Sequence, residues 1–352
     1  MSVYIESYCE SLNKYGEELC GDTAEIIRTK DYVVAALADG LGSGVKANIL
    51  STLTSKIIAT MLSGGSTIEE AVDTITNTLP VCRERGIAYC TFTIIQIFES
   101  GDVYIVEFDN PELIVLRRGQ VLQVPGRERV INGKVIHEKR FKAIPEDTFV
   151  AFSDGAVHAG VGHVLNLGWQ RPNIVEHVVG NYRPGMSAAG MTKMLLSACD
   201  CLYGQKPGDD TTVLTLRVRR PKQLNMIVGP PAERGRDEEY VYRFVSLPGM
   251  HVVCGGTTSQ LLCRVLDRQL HVSMEYMDPE IPPTARVEGM DLVTEGVLTL
   301  SKTLEYVEDF CEEGGKASGM AAIRGQNGAA QLARLLVEDC TKAHIMLGMA
   351  RN

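Results

Sequence analysis

Between residues 32 and 50 the chain passes from an unbroken apolar run, through a glycine turn, to helical periodicity. Val33, Val34, Ala35, Ala36, Leu37 and Ala38 are consecutive, which is the pattern of a strand buried on both faces. Asp39 stops the run, and Gly40, Gly42 and Gly44 follow closely. Apolar residues then recur at Val45, Ile49, Leu53, Ile57, Ile58, Met61 and Leu62, predicting a helix over 45–62. Ser63-Gly64-Gly65 ends it. Thr67-Ile68-Glu69-Glu70 is a capping box for a second helix reaching about residue 79. Two adjacent helices joined by a short glycine turn predict a helical hairpin lying over a sheet. The turn itself fits two readings: Asp39 presented as a metal ligand at a strand end, or Asp39 capping an ordinary strand–turn–helix corner.

Elsewhere the pattern is mostly of strands. Residues 1–30 alternate loosely and read as a strand pair leading into the strand at 32. Residues 89–98 and 103–108 form a hairpin across Glu99-Ser100-Gly101-Asp102. Residues 113–116 and 120–124 form another across Arg117-Arg118-Gly119. The apolar run 148–152 leads into Ser153-Asp154-Gly155, and 156–184 reads as a long irregular segment containing Trp169, taken as a packing residue. Residues 186–202 are helical in period, 206–210 form a loop, and 212–218 are a strand. Arg219-Arg220-Pro221-Lys222 is a basic, proline-bearing break, read as the boundary between domains 1–220 and 221–352. Beyond it, strands are predicted at 223–228, 251–254 and 290–293. Helices are predicted up to residue 266, over 301–311 and over 329–347, with a glycine- and alanine-rich stretch over 312–328 read as mobile. The fold class is therefore α/β (α+β), with a smaller mixed α/β domain at the C-terminal end.

Composition narrows the function. Hydrophobic residues make up 45% but aromatics only 6%, so the core is aliphatic, as in a sheet packed against helices. The net charge of −9 argues against nucleic acid or an anionic membrane as the main partner and suits carboxylates that bind cations. No apolar run reaches about 18 residues, and the acidic N-terminal stretch does not resemble a signal peptide, which predicts a cytoplasmic protein. Ten cysteines form no CxxC pair and read as small core residues rather than zinc ligands.

Three acidic positions share one context. Asp39 and Asp154 each end an apolar strand and precede a glycine; Asp209, with Asp210, immediately precedes another apolar strand. Carboxylates gathered at one sheet edge repel unless a cation lies between them. Oxygen-only donors select magnesium or manganese. A pair of such ions about 3.5–4 Å apart activates water for attack on phosphorus and neutralises phosphoryl oxygens. Each residue also has a plainer reading: a cap or turn for Asp22, Asp39 and Asp154, a solvated loop acid for Asp210, turn formers for Gly42 and Gly44.

Four motifs in order, Gly16-Glu17-Glu18-Leu19-Cys20-Gly21-Asp22, Ala38-Asp39-Gly40-Leu41-Gly42-Ser43-Gly44, Phe152-Ser153-Asp154-Gly155 and Asp209-Asp210-Thr211-Thr212-Val213, resemble those of the metal-dependent (type 2C) protein phosphatases, within them the stage II sporulation protein E family. The resemblance covers about residues 3–218. It implies a four-layer αββα sandwich holding two Mn²⁺ or Mg²⁺ ions between its sheets. It implies that Asp39 bridges the ions, that Gly40 offers its carbonyl, that Asp154 and Asp209 complete the ligands, and that Asp22 acts through water. Asp210 ranks below Asp209 as a ligand. The implied reaction is hydrolysis of phosphoserine or phosphothreonine in a regulatory phosphoprotein of bacterial signalling, such as an anti-sigma-factor antagonist, without a phosphoenzyme. In relatives the two helices after the first Asp-Gly carry regulation, so the C-terminal module or a homodimer contact is expected to act on them. The family's phosphate-binding arginine has no clear counterpart; Arg28 is the nearest candidate, and Asp109 is a candidate for a third metal site.

Residues 221–352 resemble no catalytic family. Gly255, Gly256, Thr257 and Thr258 lie between a strand and a helix and read either as an anion site or as a tight turn. They lack the lysine of a P-loop and the spacing of a dinucleotide fingerprint. Short echoes of the first domain at 251–256 and 292–296 suggest a degenerate repeat. The competing functional reading is a catalytically weak or inactive phosphatase-fold scaffold whose C-terminal module binds a ligand or partner.

Overall fold

The computed structural model describes residues 3–78, 90–273, 278, 280–312 and 323–350. The chain falls into two compact units, Met1–Arg220 and Pro221–Asn352.

The first unit runs β1 (Tyr4–Leu12), β2 (Thr23–Arg28), β3 (Tyr32–Asp39), α1 (Gly44–Ser63), α2 (Ile68–Thr78), β4 (Thr91–Phe98), β5 (Asp102–Phe108), β6 (Ile114–Arg117), β7 (Gln120–Val121), β8 (Gly126–Ile131), β9 (Lys134–Lys142), β10 (Thr148–Phe152), α3 (Asp154–His158), α4 (Arg171–Asn181), α5 (Ala188–Leu202) and β11 (Thr211–Arg219). One sheet has the order β1-β11-β10-β6-β7 and the other β2-β3-β4-β5-β9-β8; every pairing is antiparallel.

Alternation along the strands explains the layers. Val33, Ala35 and Leu37 of β3 join Phe149 and Ala151 of β10 and Leu214 and Leu216 of β11 in a core between the sheets. Val34, Ala36 and Ala38 point the other way, into a core shared with Ile58, Leu62, Val72 and Ile75 of α1 and α2. On the far side, Val150 and Phe152 meet Ile174, Val178, Leu195 and Cys199 of α4 and α5. The result is helix, sheet, sheet, helix. The unbroken apolar runs of β3 and β10 are the sequence trace of strands covered on both faces.

The capping box forms: Thr67 N–H donates to Glu70 Oε2 at 2.8 Å and Glu70 N–H to Thr67 Oγ1 at 3.3 Å. The predicted ends at residues 79 and 89 lie outside the described residues. Three readings are corrected. β1 and β2 are not partners, because β1 pairs with β11 and β2 with β3, one in each sheet. The 156–184 segment is not irregular throughout: Arg171-Pro172 starts α4, whose Ile174 and Val178 are buried. Residues 126–142 form a hairpin, β8–β9, that periodicity did not predict.

The second unit runs β12 (Gln223–Val228), α6 (Asp237–Val245), β13 (Met250–Cys254), α7 (Gly256–Leu266), β14 (His271–Val272), β15 (Ala285–Arg286), β16 (Leu292–Thr294), α8 (Val297–Glu312), α9 (Gly328–Arg334) and β17 (Lys342–Leu347). The sheet order is β14-β15-β16-β13-β12-β17, and β16, β13, β12 and β17 are mutually parallel. Val241, Phe244, Leu261 and Leu262 of α6 and α7 cover one face, and Leu332 of α9, with Leu300 of α8, packs on the other. This is an open α/β sheet wound on both faces. The helix predicted over 329–347 is corrected: α9 gives way to a π-turn at Leu335–Asp339, and residues 342–347 are a strand held by β12. The echo of the first unit is not a repeat, because a parallel sheet and an antiparallel sandwich cannot superpose strand for strand. The stretch read as mobile lies largely outside the described residues.

Candidate active site

The register brings the predicted carboxylates together. β2 and β3 place Thr23 opposite Ala38, so Asp22 enters β2 beside the point where Asp39 leaves β3. In the other sheet Phe152 lies opposite Val213, so Asp154, just past β10, stands beside Asp209 and Asp210, just before β11. Both pairs of ends lie at the same edge of the sandwich. Asp154 N–H donates to Asp39 Oδ2 at 3.4 Å across the gap between sheets.

Two glycines make this approach possible. A Cβ at Gly40 would lie 2.5 Å from both Gly21 O and Ala47 O, and one at Gly155 would lie 2.1 Å from Asp210 O. Each Asp-Gly pair is therefore locked against the backbone of its neighbour: Asp39-Gly40 against Gly21, and Asp154-Gly155 against Asp210. A Cβ at Gly21 would in turn lie 2.8 Å from Asp210 Oδ2. Tyr203 O–H donates to Gly155 O at 2.7 Å and fixes that turn from below.

The electrostatics are those of crowded like charges. Burial pushes the Asp39 carboxyl up to about 9, and the nearby Asp22 and Asp154 push the same way. Burial pushes Asp22 up to about 6, against the pull of the Ser153 and Thr212 hydroxyls. Asp209 is also raised, first by burial and then by Asp154. Asp22 Oδ2 and Asp210 Oδ2 are buried with no hydrogen-bond partner. Asp210 Oδ1 accepts the Lys14 N–H at 2.9 Å. Orphaned carboxylate oxygens beside repelling carboxyls, with only oxygen donors around them, fit a hard divalent cation. Among the described residues no three acidic, histidine or cysteine side chains close into a formed metal cage.

Two neighbours carry no sequence signal. Lys14 Nζ lies 3.7 Å from Asp209 Oδ1, and His158 Nε2 lies 4.0 Å from Asp154 Oδ2. Arg28 is not a neighbour: it leaves β2 at the opposite end, donating to Ile5 O at 2.6 Å and Ser7 Oγ at 2.7 Å. Asp109 is an exposed residue with φ 48° after β5. The next residue, Asn110, reaches inward to Thr93 Oγ1 at 2.8 Å and Phe152 O at 3.4 Å, linking the sheets just behind Asp154. Trp169 packs edge-on against His177.

α1 is tied to this edge. Asn48 Nδ2 donates to Cys20 O at 2.8 Å, Thr23 Oγ1 lies 2.9 Å from Ser51 Oγ, and Ser43 O–H donates to Glu17 Oε1 at 3.0 Å. In the second unit, Gly255 (φ 113°) turns the chain into α7. The Thr258 hydroxyl is buried without a partner, and the Glu295 carboxylate lies 3.2 Å from the place of a Cβ on Gly256. A bound anion there would meet that carboxylate. Among the described residues no helix is long and apolar enough to cross a membrane.

The sequence matches the family model of stage II sporulation protein E (SpoIIE) over residues 29–219. No curated protein matches. Three solved structures are similar to the chain. The first is the PP2C phosphatase domain with a fragment of the regulatory domain of the cell fate determinant SpoIIE from Bacillus subtilis. It is 19% identical over 62% of this chain and 64% of that one, with a TM-score of 0.52. The phosphatase domain of the same protein, in a crystal form without domain swapping, is 19% identical over 62% and 94%, with a TM-score of 0.49. The SiaA-PP2C domain of Pseudomonas aeruginosa is 17% identical over 59% and 85%, with a TM-score of 0.47. The chain thus spans 64% of the length of the first of these, and the likeness is one of fold.

Proposed function

Because the chain belongs to the stage II sporulation protein E family, we propose that its first unit is a metal-dependent phosphatase acting on phosphoserine or phosphothreonine in a regulatory protein. The observation that supports this best is the edge itself: Asp22, Asp39, Asp154, Asp209 and Asp210 come from strand ends of two different sheets, and two of their buried oxygens have no partner. Asp39, the Gly40 carbonyl, Asp154 and Asp209 would hold Mn²⁺ or Mg²⁺ directly, with Asp22 acting through water. Bound there, two such ions supply Lewis-acid chemistry, lowering the pKa of water and offsetting charge on phosphoryl oxygens.

The chain's own residues set the geometry. Asp39 is the junction: it ends β3, accepts from the backbone of Asp154 and so faces both sheets. Burial keeps bulk water from Asp22 and Asp210, which strengthens their hold on a cation. Lys14 brings a positive charge to the outer side of Asp209, where an incoming phosphate monoester would meet it. The bonds from Asn48, Ser51 and Ser43 couple α1 to the loop carrying Asp22, so a partner that shifts α1 moves a ligand position.

The test is turnover of a phosphoserine peptide and of a chromogenic phosphate ester with Mn²⁺ or Mg²⁺. Expected are metal-dependent release of phosphate and calorimetric binding of two ions. No turnover together with no metal binding would instead favour the scaffold reading.

A further inference from the structure

In the second unit, the crevice where open α/β sheets usually take a ligand lies between β12 and β17, where the strand order reverses. Here it is shut. Gly348 N–H donates to Val228 O at 2.7 Å and Ala350 N–H to Pro230 O at 3.2 Å. A Cβ on Gly348 would lie 2.1 Å from Pro230 O. A larger open space lies on the β16 side, where Gly328 at the start of α9 packs on Thr284 and Thr294. A cavity of 420 Å³ lies there, lined by Arg286, Arg324, Arg334, Asp278, Asn327 and Gln331 among others.

These three arginines differ from others in the same unit. Arg236 pairs with Glu239, Arg264 with Asp237, and Arg268 donates to Glu288 O. Among the described residues the side chains of Arg286, Arg324 and Arg334 have neither an ion pair nor a hydrogen bond, as is also true of Arg243, but these three line one cavity and Arg243 does not. Three arginines lining one cavity against the single carboxylate of Asp278 leave it with a local excess of positive charge, which an anion would balance. Their planar forks match the oxygens of a phosphate. The other lining groups ask for more than an anion. Asp278 is held by Glu280 N–H at 2.9 Å and by Asn327 Nδ2 at 3.4 Å. Its remaining lone pairs are acceptors suited to a hydroxyl donor. Asn327 is itself fixed, accepting Ala330 N–H at 2.8 Å as the cap of α9. The volume falls in the range of small-molecule sites, roughly 300–1,000 Å³.

We propose that this cavity binds a phosphate monoester of a small polyhydroxylated molecule, its phosphate on Arg286, Arg324 and Arg334 and a hydroxyl on Asp278. The inference does not rest on the first unit being a phosphatase. The test is calorimetric titration of the full chain with ribose 5-phosphate, inorganic phosphate and ribose, in excess chelator so that the first unit carries no divalent ion. Expected is saturable binding in the order ribose 5-phosphate, phosphate, ribose. Each of Arg286→Gln and Arg334→Gln should weaken the phosphate-bearing ligands by at least about tenfold. Arg334→Lys, which keeps the charge but loses the fork, should fall between, and guards against a folding defect. Asp278→Asn should reduce the preference for ribose 5-phosphate over inorganic phosphate. No saturable binding at millimolar concentration, or equal affinity in the folded arginine variants, would overturn the proposal.

Discussion

The two units handle charge in opposite ways. At its strand ends the first unit gathers carboxylates and leaves two of their oxygens without a partner. The second unit gathers three arginines around a cavity and sets only one carboxylate, Asp278, among them. Elsewhere buried charge is neutralised. Lys139 lies 2.9 Å from Glu107 and 2.8 Å from Glu112, Arg117 2.7 Å from Asp147, and Arg217 2.6 Å from Glu146. The contrast separates two uses of charge. Matched pairs hold strands in place, while groups of one sign leave a local charge that the fold itself does not balance. The net charge of −9 does not reveal this, because it sums both kinds.

The sharpest way to break the distinction is at Asp39. Asp39→Asn should lower phosphopeptide turnover by about a thousandfold or more. It should also raise the melting temperature in chelator, because the neutral amide avoids the cost of burying a carboxyl beside Asp22 and Asp154, whether that cost is met by holding its charge or by taking up a proton. A fall in melting temperature would mean the carboxylate is structural. Gly155→Ala is next. Its methyl group would overlap Asp210 O, so the variant should lose activity and about 2 kcal/mol or more of stability, read by denaturant unfolding. Lys139→Met tests the opposite class. It leaves Glu107 buried without its partner and should cost about 3–5 kcal/mol, while metal affinity, measured by calorimetry, stays unchanged.

The smallest expected effect is at Glu138. Burial raises its pKa, but hydrogen bonds from Tyr104 and Arg127, with Arg129 beyond them, hold it below the usual glutamate range. A carboxyl depressed in the folded state stabilises above its unfolded pKa and loses that contribution as pH falls through the folded one. Stability should therefore decline below about pH 4.5, and Glu138→Gln should flatten that slope in pH-dependent unfolding curves.

Much of this was legible in the chain. Unbroken apolar runs marked β3 and β10, and an Asp-Gly after each marked the site, because a doubly covered strand must end where its next residue can leave the core. The β8–β9 hairpin also left a signal, Asn132-Gly133 between strand-like runs, but the charged run Arg127-Glu128-Arg129 and Lys134 masked its alternation. β17 was illegible for a different reason. Residues 342–347 are strand because β12 offers a parallel edge, which is a fact about residues more than a hundred positions away. Lys14 reaches the site partly through its backbone N–H, which no side-chain pattern records. The arginine cavity joins Arg286, Arg324 and Arg334 from separate local contexts, none unusual alone.

The pairing of β1 with β11 also governs when the site can exist during synthesis. β1 is made long before its partner, which is completed only at residue 219. Until then β1 lacks its full partner strand, and Gly155 has no completed strand to close against. Contacts of such long sequence separation form late. A nascent chain stalled before β11 therefore carries Asp22, Asp39 and Asp154 without the strand that sets Asp209 and Asp210 beside them.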